Sequence, residues 1–355
     1  MDKKKSILDS NILYTLIAIV AGFLIGAIFL MIAGISPIAA YGKLITGVFS
    51  KPKFIVYTLV YASPIIFTGL SVAFSFRTGV FNIGAEGQFV IGALVATVLG
   101  IVLDLPPVIH AIVCLVGAGA AGAVWSLVVG IMKVKRGIHE VLSFIMFNWI
   151  AFYLSNYVVN LPGIKHESKE ASVDLASSAR ILLPESIRNA IGCDVANWGF
   201  VLAVVCAVIV WFIIEKTTLG FQLKAVGFNE SGAKFAGINT ERSVLTALGI
   251  SGMLSGLGGA VQILGMGGRL AQYAGQEGYG FEGISVALIG SSSPIGCIFS
   301  GVFYGAMKYG GSKLTLVGAP SEVIDIIMGC VILLIAISAV FKVLFQKIGK
   351  KKEAK

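Results

Sequence analysis

Long stretches without a charged residue recur along the chain. They cover residues 12–34, 54–76, 87–103, 111–132, 141–164, 195–214, 243–264 and 326–341. A helix needs about 20 mostly apolar residues to cross a bilayer. The pattern therefore predicts an all-α, multi-pass membrane protein. The clear spans are 12–34, 55–76, 80–103, 108–132, 140–161, 197–215, 243–265 and 321–342.

Residues 279–310 leave two interpretations open. This stretch is rich in Gly and is interrupted by Ser291-Ser292-Ser293-Pro294, so it forms either one tilted helix or two short ones. Lys and Arg concentrate in short cytoplasmic loops. Two short helices put the basic residues of 3–5, 133–136 and 350–352 on the same side of the membrane. We therefore predict a helical bundle of about ten membrane segments with both termini in the cytoplasm.

Two connections between spans are long. Residues 162–196 are polar and of mixed charge, and this topology puts them outside the cell, whereas residues 216–242 lie inside. The other connections are short. Residues 1–355 are therefore predicted to form a single membrane domain, without a second soluble domain.

Composition agrees with a membrane protein and excludes other classes. Hydrophobic residues make up 57% of the chain, charged residues 13%, and the mean hydropathy is +0.92. A soluble domain with so few charges could not cover its surface, and a disordered chain would be more polar. The net charge of +9 sits in short flanks rather than on one basic face, which argues against nucleic-acid binding. The apolar stretch after Lys3–Lys5 exceeds the h-region of a signal peptide, about 7–15 residues, so it is predicted to be a retained span.

Searches for catalytic patterns find none in this sequence. Gly42-Lys43 and Gly349-Lys350 lack the rest of a phosphate-binding loop, and neither HExxH nor GxSxG occurs. The five cysteines and three histidines have no metal-ligand spacing. The chain is predicted not to be an enzyme and to hold no cofactor or metal of its own.

The inside loop contains signals for a short capped helix. Asn229 suits the N-cap, Glu230 in the first turn suits the helix dipole, and Gly237 is a natural stop. A helix of about seven residues, roughly 10 Å long, fits between them. It is too short to span a membrane, so it either fits a groove on a partner or is an ordinary connection.

Polar residues inside the apolar stretches are candidates for the lining of a translocation pathway. Asn82, Glu86 and Gln88 open the third span, and Asn82 and Glu86 share a face if that segment is helical. The alternative is a solvated helix end with Glu86 paired to Arg77. Asn148 lies deep in its span, whereas Glu140, two turns before it, is better explained as a partner of the helix N-terminus.

A second polar group surrounds the Gly-rich break at 265–283. Broken helices at membrane depth are tolerated where they border a cavity. The alternative is an outer loop with interfacial aromatic residues. The candidates for the substrate pathway here are Gln262, Tyr273, Gln276, Glu277, Tyr279, Phe281 and Glu282.

The inside loop also resembles a known motif. Residues Ala225–Ile238 resemble the coupling-helix motif of ABC importer permeases of the ribose, branched-chain amino acid and nucleoside group, with Gly232 where that group usually has Ala. The extra Gly loosens a helix by about 0.5–1 kcal/mol. In that family the loop docks into a separate ATPase subunit. The resemblance assigns ATPase coupling to Gly220, Ala225, Gly227, Asn229, Glu230, Ala233 and Gly237.

Three further segments extend the resemblance over residues 55–340. Phe81–Gln88 reads FNIGAEGQ, as in the nucleoside-type branch. Gly137–Ile150 matches a second motif, with His139 in place of the usual Asn. Gly278–Gly290 matches a late Gly-rich segment of the family.

The resemblance implies a type II importer-like permease in the plasma membrane, and implies its partners. They are an ATPase subunit that binds the ATP, a second permease, identical or paired, an extracytoplasmic binding lipoprotein, and the lipid bilayer. The substrate implied is a nucleoside. Residues 262–282 are compatible with one, since they offer aromatic rings for a base and polar groups for a ribose. The alternatives are a permease for ribose or another sugar, and an ion-coupled secondary transporter.

Overall fold

The computed structural model describes residues 11–318, 323–335 and 337. The described part is helical, and its only β-type pairs are three isolated bridges. A π-helical turn, Gln262–Gly267, continues α11. The helices are α1 Asn11–Ile32, α2 Pro37–Phe49, α3 Pro52–Phe76, α4 Ala85–Val102, α5 Ile109–Arg136, α6 Glu140–Val159, α7 Glu185–Ile191, α8 Gly199–Lys216, α9 Thr218–Phe228, α10 Glu230–Phe235, α11 Thr240–Val261, α12 Tyr279–Ile289, α13 Pro294–Gly311 and α14 Val323–Ile335.

Seven described helices are long and apolar enough to cross a membrane: α1, α3, α4, α5, α6, α8 and α11 with its π-helical turn. The shorter α12 and α14 are also apolar. The all-α, multi-pass prediction is confirmed, whereas the number of about ten segments stays a prediction. The predicted span 321–342 is described only at 323–335 and 337, and its other residues lie outside the described part.

The stretch 279–310 forms two helices, as one of its two interpretations predicts. α12 ends at Ile289 and α13 begins at Pro294. Ser291 and Ser292 between them have φ of 53° and 52°, in the left-handed region that a helix cannot continue through.

One sequence-based boundary is wrong, and two helices were not predicted. Residues 80–84 do not begin α4, because Asn82 Oδ1 accepts a hydrogen bond from Gly84 N at 3.1 Å and closes a turn there. Asn82 and Glu86 therefore do not share a helical face. Residues 37–49, which lie between two predicted spans, form α2, whose N-terminus has Ser36 as cap and Pro37 in the first turn. The inside loop holds two helices instead of one, because Thr217 caps α9 through Gly220 N at 3.2 Å.

The described residues fall into two compact units. In the unit of residues 51–306, α11 packs against α3, α4 and α5. Gly252 and Gly256 of α11 lie directly on the α5 backbone at Gly122, because small residues four apart let two helices approach closely.

The other unit contains the described residues of 1–50 and of 307–355. Gly22 and Gly26 of α1 contact Val331 and Ile327 of α14. The Tyr41 hydroxyl of α2 donates to the Phe23 carbonyl of α1 at 2.6 Å. Small residues four apart on α1 again allow close packing against a neighbouring helix, here α14. The prediction of a single domain over 1–355 stays a prediction.

Candidate functional site

The FNIGAEGQ segment is a buried junction between helices. The side-chain amides of Asn82 and Gln88 bond to each other in both directions, at 2.9 and 3.0 Å. Asn82 Nδ2 also donates to Ser251 Oγ on α11 at 2.6 Å, and Ser251 Oγ donates to the Ser71 carbonyl on α3 at 2.8 Å. Neither amide is exposed. The network satisfies buried polar groups, and it joins α3, α4 and α11.

Glu86 caps another helix. Its carboxylate is 1% exposed and accepts hydrogen bonds from Gly278 N at 2.8 Å and Gly280 N at 2.7 Å. These N–H groups belong to the start of α12, where a helix leaves donors unsatisfied and favours negative charge. The Phe89 and Tyr279 rings stack beside this contact with centroids 4.9 Å apart. Glu86 therefore attaches α4 to the end of the Gly-rich break.

Asn148 joins α6 to the same junction. Its Oδ1 accepts from Gly87 N at 2.8 Å and its Nδ2 donates to the Ile83 carbonyl at 3.1 Å. Glu140 pairs with Lys133 at 2.7 Å at the start of α6, as expected for a partner of a helix terminus. The side chains of the predicted pathway residues on α4 and α6 thus make hydrogen bonds within the subunit, and their contact with substrate stays a prediction.

Residues of the Gly-rich break are only partly brought together. The side chains of Gln262 and Tyr279 are hydrogen-bonded to each other. Tyr273 is buried, and it lies close enough to Glu86 and Glu277 to feel the charge of their carboxylates. The break therefore contains a compact group around two tyrosines. The other predicted members differ in exposure: Gln276 and Glu282 are half-buried, and Glu277 and Phe281 are exposed.

Residues 162–196 cover this break, which the sequence did not predict. Ser172 N donates to the Leu270 carbonyl at 2.8 Å, and Leu270 N returns a bond to Ser172 Oγ at 3.0 Å. Asp174 and Arg269 form an ion pair at 3.0 Å. The segment predicted to be a separate outer loop is therefore fastened along the break, and we call residues 164–183 the outer strap.

Arg180 and Asn156 are functional candidates that sequence reasoning missed. Arg180 Nε donates a hydrogen bond to the Leu264 carbonyl at 2.9 Å, and this bond satisfies an acceptor at the π-helical turn. Burial lowers the pKa of the Arg180 guanidinium. Asn156 of α6 bonds to both backbone polar groups of Tyr273, at 2.8 and 2.9 Å. The only sequence signal for Asn156 is an amide within an apolar span.

The short helix of the inside loop is α10, with the caps that the sequence predicts. Asn229 Oδ1 accepts from Gly232 N at 2.9 Å, Glu230 occupies the first turn, and Gly237 has φ +82°. Ala233 is the buried residue of α10. α10 therefore packs against the rest of the chain through the narrow face at Ala233, and its other residues are exposed.

Two aromatic residues flank α10 and were missed by sequence reasoning. Phe228 is 90% exposed and Phe235 is 95% exposed. Two large apolar side chains exposed on either side of one short helix are candidates for a partner surface. Phe228 also lines a cavity of about 240 Å³, together with Arg77 and Lys224.

The predicted coupling residues on α9 pack instead of presenting side chains. Gly227 lies against the turn after α3, where a Cβ on Gly79 would be 3.3 Å from the Gly227 Cα. Gly220 fits against the backbone of Ile214 at the end of α8, and Ala225 is half-buried. These residues fix the position of the loop.

Comparison with known proteins agrees with this architecture. Residues 54–336 match the family described as branched-chain amino acid transport system / permease component. The chain is 36% identical to the guanosine ABC transporter permease protein NupP of Bacillus subtilis (strain 168), over 96% of this chain and 98% of that protein. It is 30% identical to the nucleoside ABC transporter permease protein NupB of Lactococcus lactis subsp. cremoris (strain MG1363), over 95% and 94%. It is 29% identical to the glucose ABC transporter permease protein TsgB13 of Haloferax volcanii, over 92% and 87%. No solved structure matches the chain.

The helices and the capped inside loop are those of a multi-pass plasma-membrane transport subunit. The chain belongs to the branched-chain amino acid transport system permease family, and it is an ABC transporter permease rather than an enzyme.

Proposed function

We propose that this chain is the membrane subunit of an ATP-driven importer of nucleosides. The observation that carries the substrate class is the 36% identity, over nearly the full length of both chains, to a guanosine permease. The FNIGAEGQ segment supports the same branch. A sugar is the second candidate, because a relative at 29% identity is a glucose permease.

The architecture proposed is that of a type II importer with about ten membrane segments and both termini in the cytoplasm. A second permease, identical or paired, completes the pathway. A binding lipoprotein delivers the substrate to the side that carries the outer strap. Energy comes from a separate ATPase subunit that binds the ATP, and this chain holds no cofactor of its own.

The ATPase is proposed to receive α10, with Phe228 and Phe235 as its anchors. Large aromatic residues at the centre of an interface contribute most to binding when a partner desolvates them. Replacing Phe228 and Phe235 with Ser removes both anchors without touching Ala233, the residue that buries α10. We expect copurification of the ATPase and ATP-driven uptake to fall at least about tenfold, a change of about 1.4 kcal/mol.

Substitution of the same two residues by Leu is the control, since it keeps an apolar contact and should retain most of the binding. ATPase copurification at the normal level with both Ser residues would refute the docking surface.

The substrate class is tested by uptake of labelled guanosine, adenosine, uridine, ribose and glucose by the complete transporter in proteoliposomes. A nucleoside importer takes up at least one nucleoside only when ATP is present. Uptake of sugars alone would establish the second candidate. Transport by this chain alone, driven by an ion gradient without ATP, would establish a secondary transporter instead.

A further inference from the structure

The exposed face of α6 differs in chemistry from the exposed faces of the other long helices. Trp149, Tyr153 and Tyr157 lie four residues apart and therefore on one face, and they are 44%, 65% and 66% exposed. On α8, by contrast, the exposed large hydrophobic side chains are pure hydrocarbons: Val201, Val205, Val208, Ile209 and Phe212. The exposed large hydrophobic residues of α5 are likewise Ile and Val.

An interfacial aromatic belt does not explain this face. α6 has 20 residues and so is about 30 Å long, the thickness of the hydrocarbon core. Trp149 is the tenth residue, at the middle, and Tyr153 lies about 9 Å before the end of the helix. For a helix of this length centred in the hydrocarbon core, Tyr157 alone of the three lies at the headgroup level where Trp and Tyr are enriched.

Lipid is a poor neighbour for these hydroxyl groups. Among the described residues, none hydrogen-bonds to the hydroxyl of Tyr153 or Tyr157. Polar groups at membrane depth without partners are costly and generally face a cavity or pathway. The Trp149 and Tyr153 rings are stacked, with centroids 6.1 Å apart and planes at 29° to each other, so the exposed face of the pair can stack with one further flat ring.

The aromatic face also leads to the Gly-rich break. Asn156 lies between Tyr153 and Tyr157 in sequence and holds the backbone of Tyr273 through two hydrogen bonds. Beyond Tyr273 come the half-buried Gln276 and the exposed Glu277. The helix that carries the aromatic face therefore contacts the segment that carries these polar residues, through Asn156.

We propose that Trp149, Tyr153 and Tyr157 form a nucleobase-binding wall of the translocation pathway. The rings take the flat face of the base by offset stacking, and the hydroxyls bond to the base edge or the ribose. This inference rests on the proposed nucleoside import and adds a site to it.

Cysteine accessibility tests whether the wall faces water independently of the substrate. The five native cysteines are replaced by Ala, and Tyr153→Cys is compared with Phe212→Cys, an exposed aromatic position on α8. In the complete transporter, a charged, membrane-impermeant methanethiosulfonate should modify Cys at 153 at least about tenfold faster than Cys at 212, because thiols in hydrocarbon are rarely ionised or hydrated. Saturating guanosine should slow the reaction at 153 only.

Uptake variants test the contact with the base. With native cysteines, Tyr153→Leu and Trp149→Leu should each lower guanosine uptake about tenfold, the loss expected for one base–aromatic contact. Tyr153→Phe keeps the ring and should lose less, and Phe212→Leu should be unchanged. Copurification of the ATPase and of the second permease controls for assembly.

Each contrary result has its own meaning. Equal slow modification at 153 and 212 would show a lipid-facing helix and overturn the proposal. Rapid modification without protection, in a transporter that imports guanosine, would overturn base binding while leaving nucleoside import intact. Loss of the second permease from Tyr153→Leu would show that the face is a subunit contact, which also overturns it. A wild-type transporter that imports no nucleoside would end both proposals.

Discussion

The crossing of α11 and α5 makes a sharp prediction at Gly256. A Cβ at this position would lie 2.5 Å from the Ala118 carbonyl oxygen and 3.2 Å from the Gly122 Cα. Carbon atoms in comfortable contact are about 3.5–4.0 Å apart. The methyl group of Gly256→Ala would therefore overlap backbone atoms by about 1 Å, and backbone atoms cannot turn away as a side chain can. The two helices must separate to accommodate it.

Overpacking of this kind costs about 1–3 kcal/mol. Alanine also stabilises a helix by about 0.5–1 kcal/mol relative to glycine, and this gain offsets part of the destabilisation by overpacking. Gly249→Ala on the same helix isolates the overlap, because its Cβ would meet only the Leu127 side chain, at 3.4 Å or more. We expect the free energy of unfolding of Gly256→Ala to lie about 1–3 kcal/mol below that of Gly249→Ala, a factor of about 5 to 150 in the folded-to-unfolded ratio.

Reversible unfolding of the purified permease in mixed SDS and non-ionic detergent micelles, followed by circular dichroism, measures both variants on one scale. Gly249→Ala should equal or exceed the wild type in stability. Equal midpoints for the two Ala variants would refute the reasoning, because they would show that α11 and α5 are not in backbone contact.

Two further predictions follow from single side chains. Burial raises the pKa of the Cys193 thiol, so less thiolate is present at pH 8 in the folded chain than in the unfolded one. In a variant that keeps only this cysteine, maleimide should react with it at least about tenfold faster after SDS unfolding. Equal reaction rates before and after unfolding would contradict the burial of Cys193. Glu86→Ala removes the acceptor of two backbone hydrogen bonds and should lower the free energy of unfolding by about 1.5–3 kcal/mol or more. Glu86→Gln keeps an acceptor oxygen and should lower the free energy of unfolding by less. Equal decreases in the two variants would count against the capping role of Glu86.

Local patterns in the sequence predict the membrane helices and the caps well. Membrane spans depend on the apolar character of consecutive residues, and α10 depends on Asn229 and Gly237 at its two ends. The two α11 glycines at the contact with α5, Gly252 and Gly256, are four residues apart, a spacing visible in the sequence. Each of these features is decided within a few residues of the chain, so one sequence is sufficient to predict it.

The candidate site could not be predicted in the same way, because its contacts are distant in sequence. Asn82 and Ser251 are 169 residues apart, and Glu86 and Gly278 are 192 apart. Polarity within an apolar stretch indicates that such residues need partners, but not which ones. The pathway assignment of Asn82 and Glu86 was one way to satisfy that need, and hydrogen bonding within the subunit is another.

The contacts of the FNIGAEGQ segment favour a mechanical role for it in coupling. On one side, Gly227 of the inside loop lies on the backbone turn at Gly79, which leads into Asn82. On the other side, Glu86 holds the two N–H groups that begin α12, next to the break covered by the outer strap. A movement of the inside loop towards the turn would displace the turn, because their backbones are in close contact. Separating Glu86 from α12 would break two hydrogen bonds to a charged group, each worth about 1.5–3 kcal/mol. Movement as one body is the less costly course, so a displacement imposed on the inside loop would reach the Gly-rich break without Asn82 or Glu86 touching the substrate.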